Sequence, residues 1–103
     1  MSAITVYQVK DDSLNKIKQL FKSDEDFTKE ILHTHFAVVL ESSEVPVFAD
    51  EEILLDSVEA MVNASQNKLH KFGAFDAVLI SDKNKNTCIL MLEDDEYELV
   101  ELS

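Results

Sequence analysis

The sequence predicts a single α+β domain over residues 1–103, with a small, mostly antiparallel sheet of about five strands, two short helices and one long helix. Three observations support this prediction. Segments rich in β-branched residues lie near both ends of the chain, apolar residues recur at helical spacing between them, and the last three predicted strands are joined by short polar turns. With 46% apolar residues, the chain is hydrophobic enough to form one core. The predicted order of elements is β-α-α-β-α-β-β-β.

The first strand and the first helix are predicted near the N-terminus. Residues 4–9 alternate β-branched and polar side chains, which is typical of a strand. Asp11, Asp12 and Ser13 then offer N-cap side chains directly before apolar residues at helical spacing, which predicts a helix. Those apolar residues are Leu14, Ile17, Leu20 and Phe21.

A second short helix and a second strand are predicted next. Ser23, with Asp26 three residues later, resembles a capping box, and the apolar residues behind it share one face. This pattern predicts a helix over residues 24–33. Residues 36–40 are apolar on both faces, which favours a central strand covered on both sides.

The longest helix is predicted in the middle of the chain. We expect residues 45–48 to be extended or edge structure, because Pro46 has no amide hydrogen to donate to a sheet. Asp50 is the predicted N-cap, and Gly73, the only glycine, is predicted to end the helix. The predicted inward stripe, with Val62 beside it, consists of Leu54, Val58, Met61, Ser65 and Leu69.

The C-terminal third predicts an antiparallel meander. Three strands, at residues 75–81, 87–92 and 97–102, are separated by short polar turns, and links of that length join antiparallel neighbours. The last strand bears Leu99 and Val100 on a predicted sheet edge, where another copy of the chain could pair. The sequence is therefore compatible with a monomer or a homodimer.

Charge is distributed unevenly along the chain. The protein has 21 acidic residues, nine lysines and no arginine, and its net charge is −12. Lysine is absent from residues 30–67 and 86–103, and these two segments hold 14 of the acids. The other 47 residues hold seven acids and all nine lysines. The negative charge therefore lies mainly on the long helix, the loop before it and the C-terminal hairpin.

We expect these acids to face solvent and to contact a partner. Glu52, Asp56 and Glu59 fall at i, i+4 and i+7, opposite the predicted apolar stripe. Neighbouring like charges of this kind cost roughly 0.2–0.5 kcal/mol each, and solubility alone does not require so large a net charge. The alternative is that the acids serve only as a solvated surface. The predicted partner-binding residues are Glu52, Asp56, Glu59, Glu93, Asp94, Asp95, Glu96, Glu98 and Glu101.

The charge also restricts the class of partner. A strongly acidic protein repels nucleic acid and anionic membranes and attracts basic proteins, so we predict a protein partner with a basic surface, no direct nucleic-acid binding and no membrane association. The single cysteine, Cys88, and a start that predicts a strand instead of a signal peptide favour the cytoplasm. With one glycine and no arginine, the chain lacks a phosphate-binding loop, so we expect no cofactor.

One segment partly matches a calcium-binding loop. Asp82, Asn84, Asn86 and Glu93 occupy positions 1, 3, 5 and 12 of that pattern. Position 6, where the loop needs glycine, is Thr87, and the residues before Glu93 favour a strand. We interpret the segment as a polar hairpin turn and predict no metal site, with calcium binding as the alternative.

Histidine and cysteine offer few other candidates for chemistry. His33 and His35 lie two residues apart at a predicted helix-to-strand junction, and His70 could join them, but no Cys/His spacing indicates zinc. Cys88 lies in an apolar strand and is predicted to be a small buried hydrophobe. The acids cluster at turns and on exposed faces, whereas a catalytic acid needs a partly apolar pocket, so we predict that the protein is not an enzyme.

The leading hypothesis is a small cytoplasmic inhibitor, encoded by a phage or mobile element, that covers a basic surface of a host protein, for example in anti-defence. A narrower version is that it mimics DNA on a nucleic-acid-binding surface. The absence of arginine and tryptophan is typical of an A/T-rich genome, such as many phages carry. One alternative is an immunity protein or antitoxin that neutralises a cationic nuclease or toxin. Another is a small carboxylate- or metal-dependent hydrolase or a calcium-binding protein.

Overall fold

The computed structural model of the chain describes residues 2–22, 28–45, 51–82, 85–93 and 96–101. Its elements confirm the predicted α+β fold and the predicted order. They are β1 (Ser2–Val9), α1 (Leu14–Lys22), α2 (Lys29–His35), β2 (Phe36–Val45), α3 (Glu51–Ala64), β3 (Ala77–Asp82), β4 (Lys85–Met91) and β5 (Tyr97–Glu101). Within these described residues, no helix has the length and apolar character needed to cross a membrane.

The five strands form one antiparallel sheet in the order β2-β1-β3-β4-β5. Strands β3, β4 and β5 make the predicted meander, since each pairs with the next one along the chain. The first strand, β1, lies between β2 and β3. The sheet therefore has β2 at one edge and β5 at the other.

Each face of the sheet has its own hydrophobic core, because alternate side chains of a strand point to opposite faces. On the α1–α2 face, both short helices pack on the sheet; the buried residues there are Tyr7, Val9, Ile17, Leu20, Leu32, Phe36, Phe75, Ala77, Cys88 and Leu90. On the α3 face, α3 is the one helix that the described residues provide; the buried residues there are Ile4, Val6, Val39, Leu54, Leu55, Val58, Val62, Phe72, Val78 and Ile89.

The two short helices begin differently from the prediction. The three predicted capping residues before α1 form a 3-10 turn, Asp11–Ser13, and the Ser13 hydroxyl lies 3.0 Å from Nδ1 of His35. The predicted helix over residues 24–33 is wrong at its start, because Thr28 is extended and its Oγ1 accepts a hydrogen bond from the amide of Ile31. The predicted capping box at residues 23–26 lies outside the described residues.

Strand β2 is an edge strand, so the predicted central position of residues 36–40 is wrong. Its apolar character on both faces has a different cause: Phe36 joins the core on the α1–α2 face, and Val39 joins the core on the α3 face. Helices cover both sides of this edge, which makes its sequence resemble that of a central strand. Val38, however, is 49% exposed. Of the segment 45–48, residues 46–48 lie outside the description, as does the predicted cap Asp50.

The long helix ends at Ala64, well before the predicted terminator Gly73. Two members of the predicted inward stripe are not buried: Met61, within the helix, is 38% exposed, and Leu69, beyond its end, is 49% exposed. Gly73 does not have a positive φ, and a Cβ built on it would meet no atom nearer than a carbonyl oxygen at 3.9 Å. The left-handed residue of this connection is Phe75, with φ of 68°.

Candidate functional site

An open groove of about 500 Å³ lies between α3 and the outer strands β4 and β5. Three carboxylates of α3, those of Glu52, Asp56 and Glu59, line one wall. The other lining residues are apolar or aromatic: Leu55, Phe72, Met91 and Tyr97. The groove therefore combines an acidic wall with an apolar floor.

Among the described residues, one helix covers this face, and a single helix cannot cover five strands. Four strand spacings make the sheet about 19 Å wide, whereas a helix with its side chains is about 10–12 Å across. The buried cluster under α3 draws residues from β1, β2, β3 and β4, and Tyr97 of β5 only packs at its margin. On the opposite face, two helices share the same width.

The three carboxylates lie on the flank of α3, not opposite its buried face as predicted. Leu55 is 7% exposed and belongs to the core. The buried face of α3 is therefore centred nearer to Leu55, and farther from Met61, than predicted. At 100° per residue, the row of acids is centred about 110° around the helix from the buried face. All three acids are exposed, as predicted. Their position beside Leu55 is what places them over the groove.

Asn63, one turn after the last acid of the row, fixes Phe72 beside the groove. Asn63 follows Glu59 on the same side of α3, and its side-chain Oδ1 accepts a hydrogen bond of 3.0 Å from the amide of Phe72. The ammonium group of Lys68 donates to the backbone carbonyl of Asn63. A cation at the last turn of a helix is favourable, because it meets carbonyl groups that have no partner within the helix.

A buried glutamine ties the connection after α3 to the sheet. The Gln8 side chain is fully buried on β1, where its Oε1 accepts from the amide of Leu69 at 2.7 Å and its Nε2 donates to the carbonyl of His70 at 2.8 Å. These bonds satisfy backbone groups that would otherwise lose their hydration on burial. The segment that carries Phe72 is therefore fixed to the sheet by side-chain bonds.

Asp76 is the second buried anchor of this connection, with no exposed side-chain surface. One carboxylate oxygen accepts from the amide of Val9 at 3.2 Å and lies 2.9 Å from Nε2 of His70. The other accepts from the Gly73 amide at 3.0 Å and from Nε2 of Gln8 at 3.2 Å. Burial raises the pKa of the Asp76 carboxyl above its ordinary value, while the bonds from Gly73, His70 and Val9 oppose that change.

The acids predicted at the C-terminal hairpin occupy its turn and its last strand. Glu93 and Glu96 are exposed and lie between β4 and β5, and the carbonyl of Glu96 accepts from the amide of Leu92 at 2.8 Å. Asp94 and Asp95, predicted for the same turn, lie outside the described residues. Neither Glu93 nor Glu96 is among the residues that line the groove.

The predicted contact residue Glu98, on β5, lies on the opposite face of the sheet from the predicted contact residues of α3. Glu98 is exposed, and it pairs with Leu90, whose side chain belongs to the α1–α2 face. The register thus places Glu98 on the face away from the α3 acids. Leu99, 51% exposed, and Tyr97 lie on the α3 face. Glu101 pairs with Thr87 at the end of the ladder.

Charge is also divided between the two helical layers. Residues 10–35, which run from the end of β1 to the end of α2, contain five lysines and six acids. The helix α3 contains four acids and no lysine. Because the two layers lie on opposite faces of the sheet, the molecule presents its lysine-free acidic surface on the α3 side.

The calcium-loop pattern folds as a hairpin, as predicted. Asp82 pairs with Lys85, and Asn86 pairs with Ser81, so β4 begins within the pattern. From there, seven residues of extended strand, roughly 20 Å, separate this turn from Glu93. Asn84 lies outside the described residues.

The histidines lie in separate places. His33 packs edge-on against the Tyr7 ring, with centroids 6.4 Å apart, and His35 contacts Ser13; both are in the last turn of α2. His70 contacts Asp76 on the other side of the sheet. Among the described residues, no group of three metal-binding side chains occurs. Cys88 is fully buried, as predicted, and burial raises its thiol pKa to about 12.

The apolar half of the groove and the two buried anchors were not predicted from the sequence. Alternation along the last two strands was a usable signal, because it places Met91 and Tyr97 on the face that a single helix has to cover. No short-range signal marked the contact between Gln8 and Asp76, which are 68 residues apart. Comparison with protein-family models, curated proteins and solved structures found no match to this chain.

Proposed function

We propose that this protein is a small, non-enzymatic, cytoplasmic inhibitor that binds a basic surface of another protein and makes that surface inaccessible. The observation that carries the proposal is the row of three exposed carboxylates on one wall of a groove whose other lining residues are apolar or aromatic. Such a surface offers charge for steering a basic partner and apolar area for holding it after contact. On this proposal, the partner is a host protein and the gene belongs to a phage or mobile element.

The arrangement of charge supports a directional encounter. The acids of α3 lie on the opposite side of the sheet from the lysines of α1, so a basic partner is drawn to one face of the molecule. Electrostatic attraction of this kind raises association rates and is screened by salt within about 10 Å at 0.1 M ionic strength. The proposal therefore requires binding that weakens as salt is added.

The test is affinity capture from host lysate, at about 0.05 M and about 0.5 M salt, with identification of the captured protein. The test variant combines Glu52→Lys, Asp56→Lys and Glu59→Lys. We expect it to lose the partner captured by the unmodified protein, because the acidic wall becomes basic. Capture that is indifferent to salt would contradict the electrostatic proposal.

A matched control distinguishes the effect of where the charges lie from the effect of net charge on partner binding. The control combines Asp11→Lys, Asp12→Lys and Glu30→Lys, three exposed acids in the α1–α2 layer. Both triple variants change the net charge by the same amount, but only the first changes the groove. Equal loss of binding in the two variants would show that net charge matters and the groove does not.

DNA mimicry is a narrower form of the same proposal. It requires the partner surface to be one that binds nucleic acid. Once a partner is identified, a labelled DNA duplex should be displaced from it by this protein at equal stoichiometry. Simultaneous binding of the DNA and this protein would reject mimicry and leave the inhibitor proposal standing.

An immunity protein or antitoxin would use the same surface in the same way. The two proposals differ in the partner's origin: an immunity protein or antitoxin neutralises a toxin encoded beside it, whereas an inhibitor acts on a host protein. Co-expression with the neighbouring gene product separates them, because rescue of growth is expected only for a toxin partner.

A further inference from the structure

The described residues leave part of the α3 face uncovered, and that part is about as wide as one helix. The sheet is about 19 Å wide, and α3 takes roughly half of that width. The strip beside α3 carries Met91, Tyr97 and Leu99, and Leu99 exposes 51% of its surface. The opposite face shows that this sheet accommodates two helices, since α1 and α2 both pack there.

The spacing of the carboxylates distinguishes between a helical and an extended partner. Along the axis of α3, Glu52 and Asp56 are about 6 Å apart, and Asp56 and Glu59 about 4.5 Å apart. A second helix lying alongside repeats these distances with basic residues at i, i+4 and i+7. An extended strand repeats every 6.6–6.8 Å on one face, so it matches the first interval and misses the second by about 2 Å.

We propose that the groove beside α3 binds an amphipathic helix of the partner, with its apolar side on Met91, Tyr97 and Leu99 and its lysine or arginine side chains along the α3 acids. This inference rests on the proposed function and specifies the shape and chemistry of the partner segment. The bound helix completes a two-helix layer on the α3 face. A helix packed at 8–10 Å from α3 brings its flanking basic side chains within reach of the carboxylates.

Another copy of this chain fits the groove poorly. A second α3 in that position would place its own acidic row against Glu52, Asp56 and Glu59, and like charges at close range disfavour that contact. The free edge of β5 is also a poor template for an added strand, because it is short and acidic, with Glu98 and Glu101 in five residues.

The test uses two fluorescent peptides of about 18 residues, long enough for a helix of about 27 Å. The helical probe has leucines on one face and lysines at i, i+4 and i+7 beside them. The control probe has the same composition, with the lysines every second residue to suit a strand. We expect the helical probe to bind at least tenfold more tightly by fluorescence anisotropy, and its helicity by circular dichroism to rise on binding.

Two single variants of the protein locate the binding surface. Leu99→Lys places a cation in the uncovered strip, and Ile53→Lys places one at an equally exposed position of α3, away from the groove; the two native side chains are 51% and 53% exposed. We expect Leu99→Lys to weaken binding of the helical probe at least tenfold and Ile53→Lys to change it less than about twofold. Both variants should show the unmodified circular dichroism spectrum.

The outcomes separate this inference from the function on which it rests. Equal binding of the two peptides, or stronger binding of the strand-patterned peptide, would overturn the helix while salt-dependent partner capture still stands. A dimer in analytical ultracentrifugation that is dissociated by Leu99→Lys would also overturn it, because the strip would then belong to a second copy. Partner capture that is indifferent to salt would remove the proposed function itself.

Discussion

The side chains of Gln8 and Asp76, which are 68 residues apart, meet in the interior, where Nε2 of Gln8 donates to Oδ2 of Asp76 at 3.2 Å. Neither side chain is exposed. Together they bind backbone groups of the connection between α3 and β3, which carries Phe72 to the groove. Within the described residues, no buried side-chain nitrogen or oxygen lacks a hydrogen-bond partner. The floor of the candidate site therefore depends on a polar contact in the core.

We expect Asp76→Ala to lower the free energy of unfolding by about 3 kcal/mol, because it leaves the buried amides of Val9 and Gly73 without their acceptors. Urea denaturation measures the change. Asp56→Ala, which removes a similar side chain from an exposed site, should change the stability by less than about 0.5 kcal/mol. Equal effects of the two substitutions would mean that the buried hydrogen bonds of Asp76 do not stabilise the fold.

The contribution of Asp76 to stability should decrease as the pH rises. Burial raises its carboxyl pKa above the ordinary 3.8, so the folded protein retains this proton at a pH where the unfolded chain has released it. The contribution is complete below about pH 3.8 and is lost as the pH rises through the folded-state pKa. Between pH 3 and 7, the unfolding free energy of the unmodified protein should therefore fall relative to that of Asp76→Asn. An unfolding free energy that rises with pH relative to that of Asp76→Asn would contradict the direction of the shift.

Cys88 should be inert in the folded protein. Its thiol is buried and its pKa is raised to about 12, so almost no thiolate is present at pH 8. We expect alkylation by iodoacetamide to be at least about a hundredfold slower than in the denatured chain, because reaction requires opening of the core. The pKa shift also predicts stability that falls above about pH 9, where the unfolded chain ionises and the folded chain does not. Rapid native labelling would show that β4 opens readily.

Gly73→Ala should be neutral or should raise the stability by up to about 1 kcal/mol. The residue has no positive φ and its surroundings leave room for a Cβ, so the substitution mainly reduces the freedom of the unfolded chain. Thermal unfolding measures the effect. A clear loss of stability would show that the site does not accept a Cβ.

Removing acids from the groove wall should stabilise the free protein while weakening partner binding. In Asp56→Asn with Glu59→Gln, the loss of like-charge repulsion should raise the free energy of unfolding by roughly 0.3–1 kcal/mol at low salt, and by less at high salt. The control pair Asp11→Asn and Asp12→Asn removes the same charge on the other layer and should leave partner binding unchanged. Destabilisation by the groove pair would show that its acids support the fold.

The regular elements were predictable because their signals are local. Alternation gave the strands, and helical spacing with its caps gave the helices, so their types and order are correct. Element boundaries were less predictable. Apolar residues at helical spacing continue to Leu69, although α3 ends at Ala64 and the chain continues as a connection held by Gln8.

The acidic half of the candidate site was predictable, and the apolar half was not. Helical spacing alone identifies the shared, exposed side of Glu52, Asp56 and Glu59. Their position over a groove depends on the rotation of α3 about its axis, which is set by burial of Leu55, and on the number of helices on each face. Both are properties of the assembled layers, and no local pattern contains them.

On α3, the side chains that hold the helix to the sheet and the carboxylates that face outward occupy different sides of the same fourteen residues. Substitutions on the outer side therefore change the charge pattern without disturbing the core. A lineage of such proteins could follow a changing target by altering a few exposed residues of one helix, while the sheet and both cores stay the same. We expect natural variants to differ most at positions 52, 56 and 59 and least at the buried positions beside them.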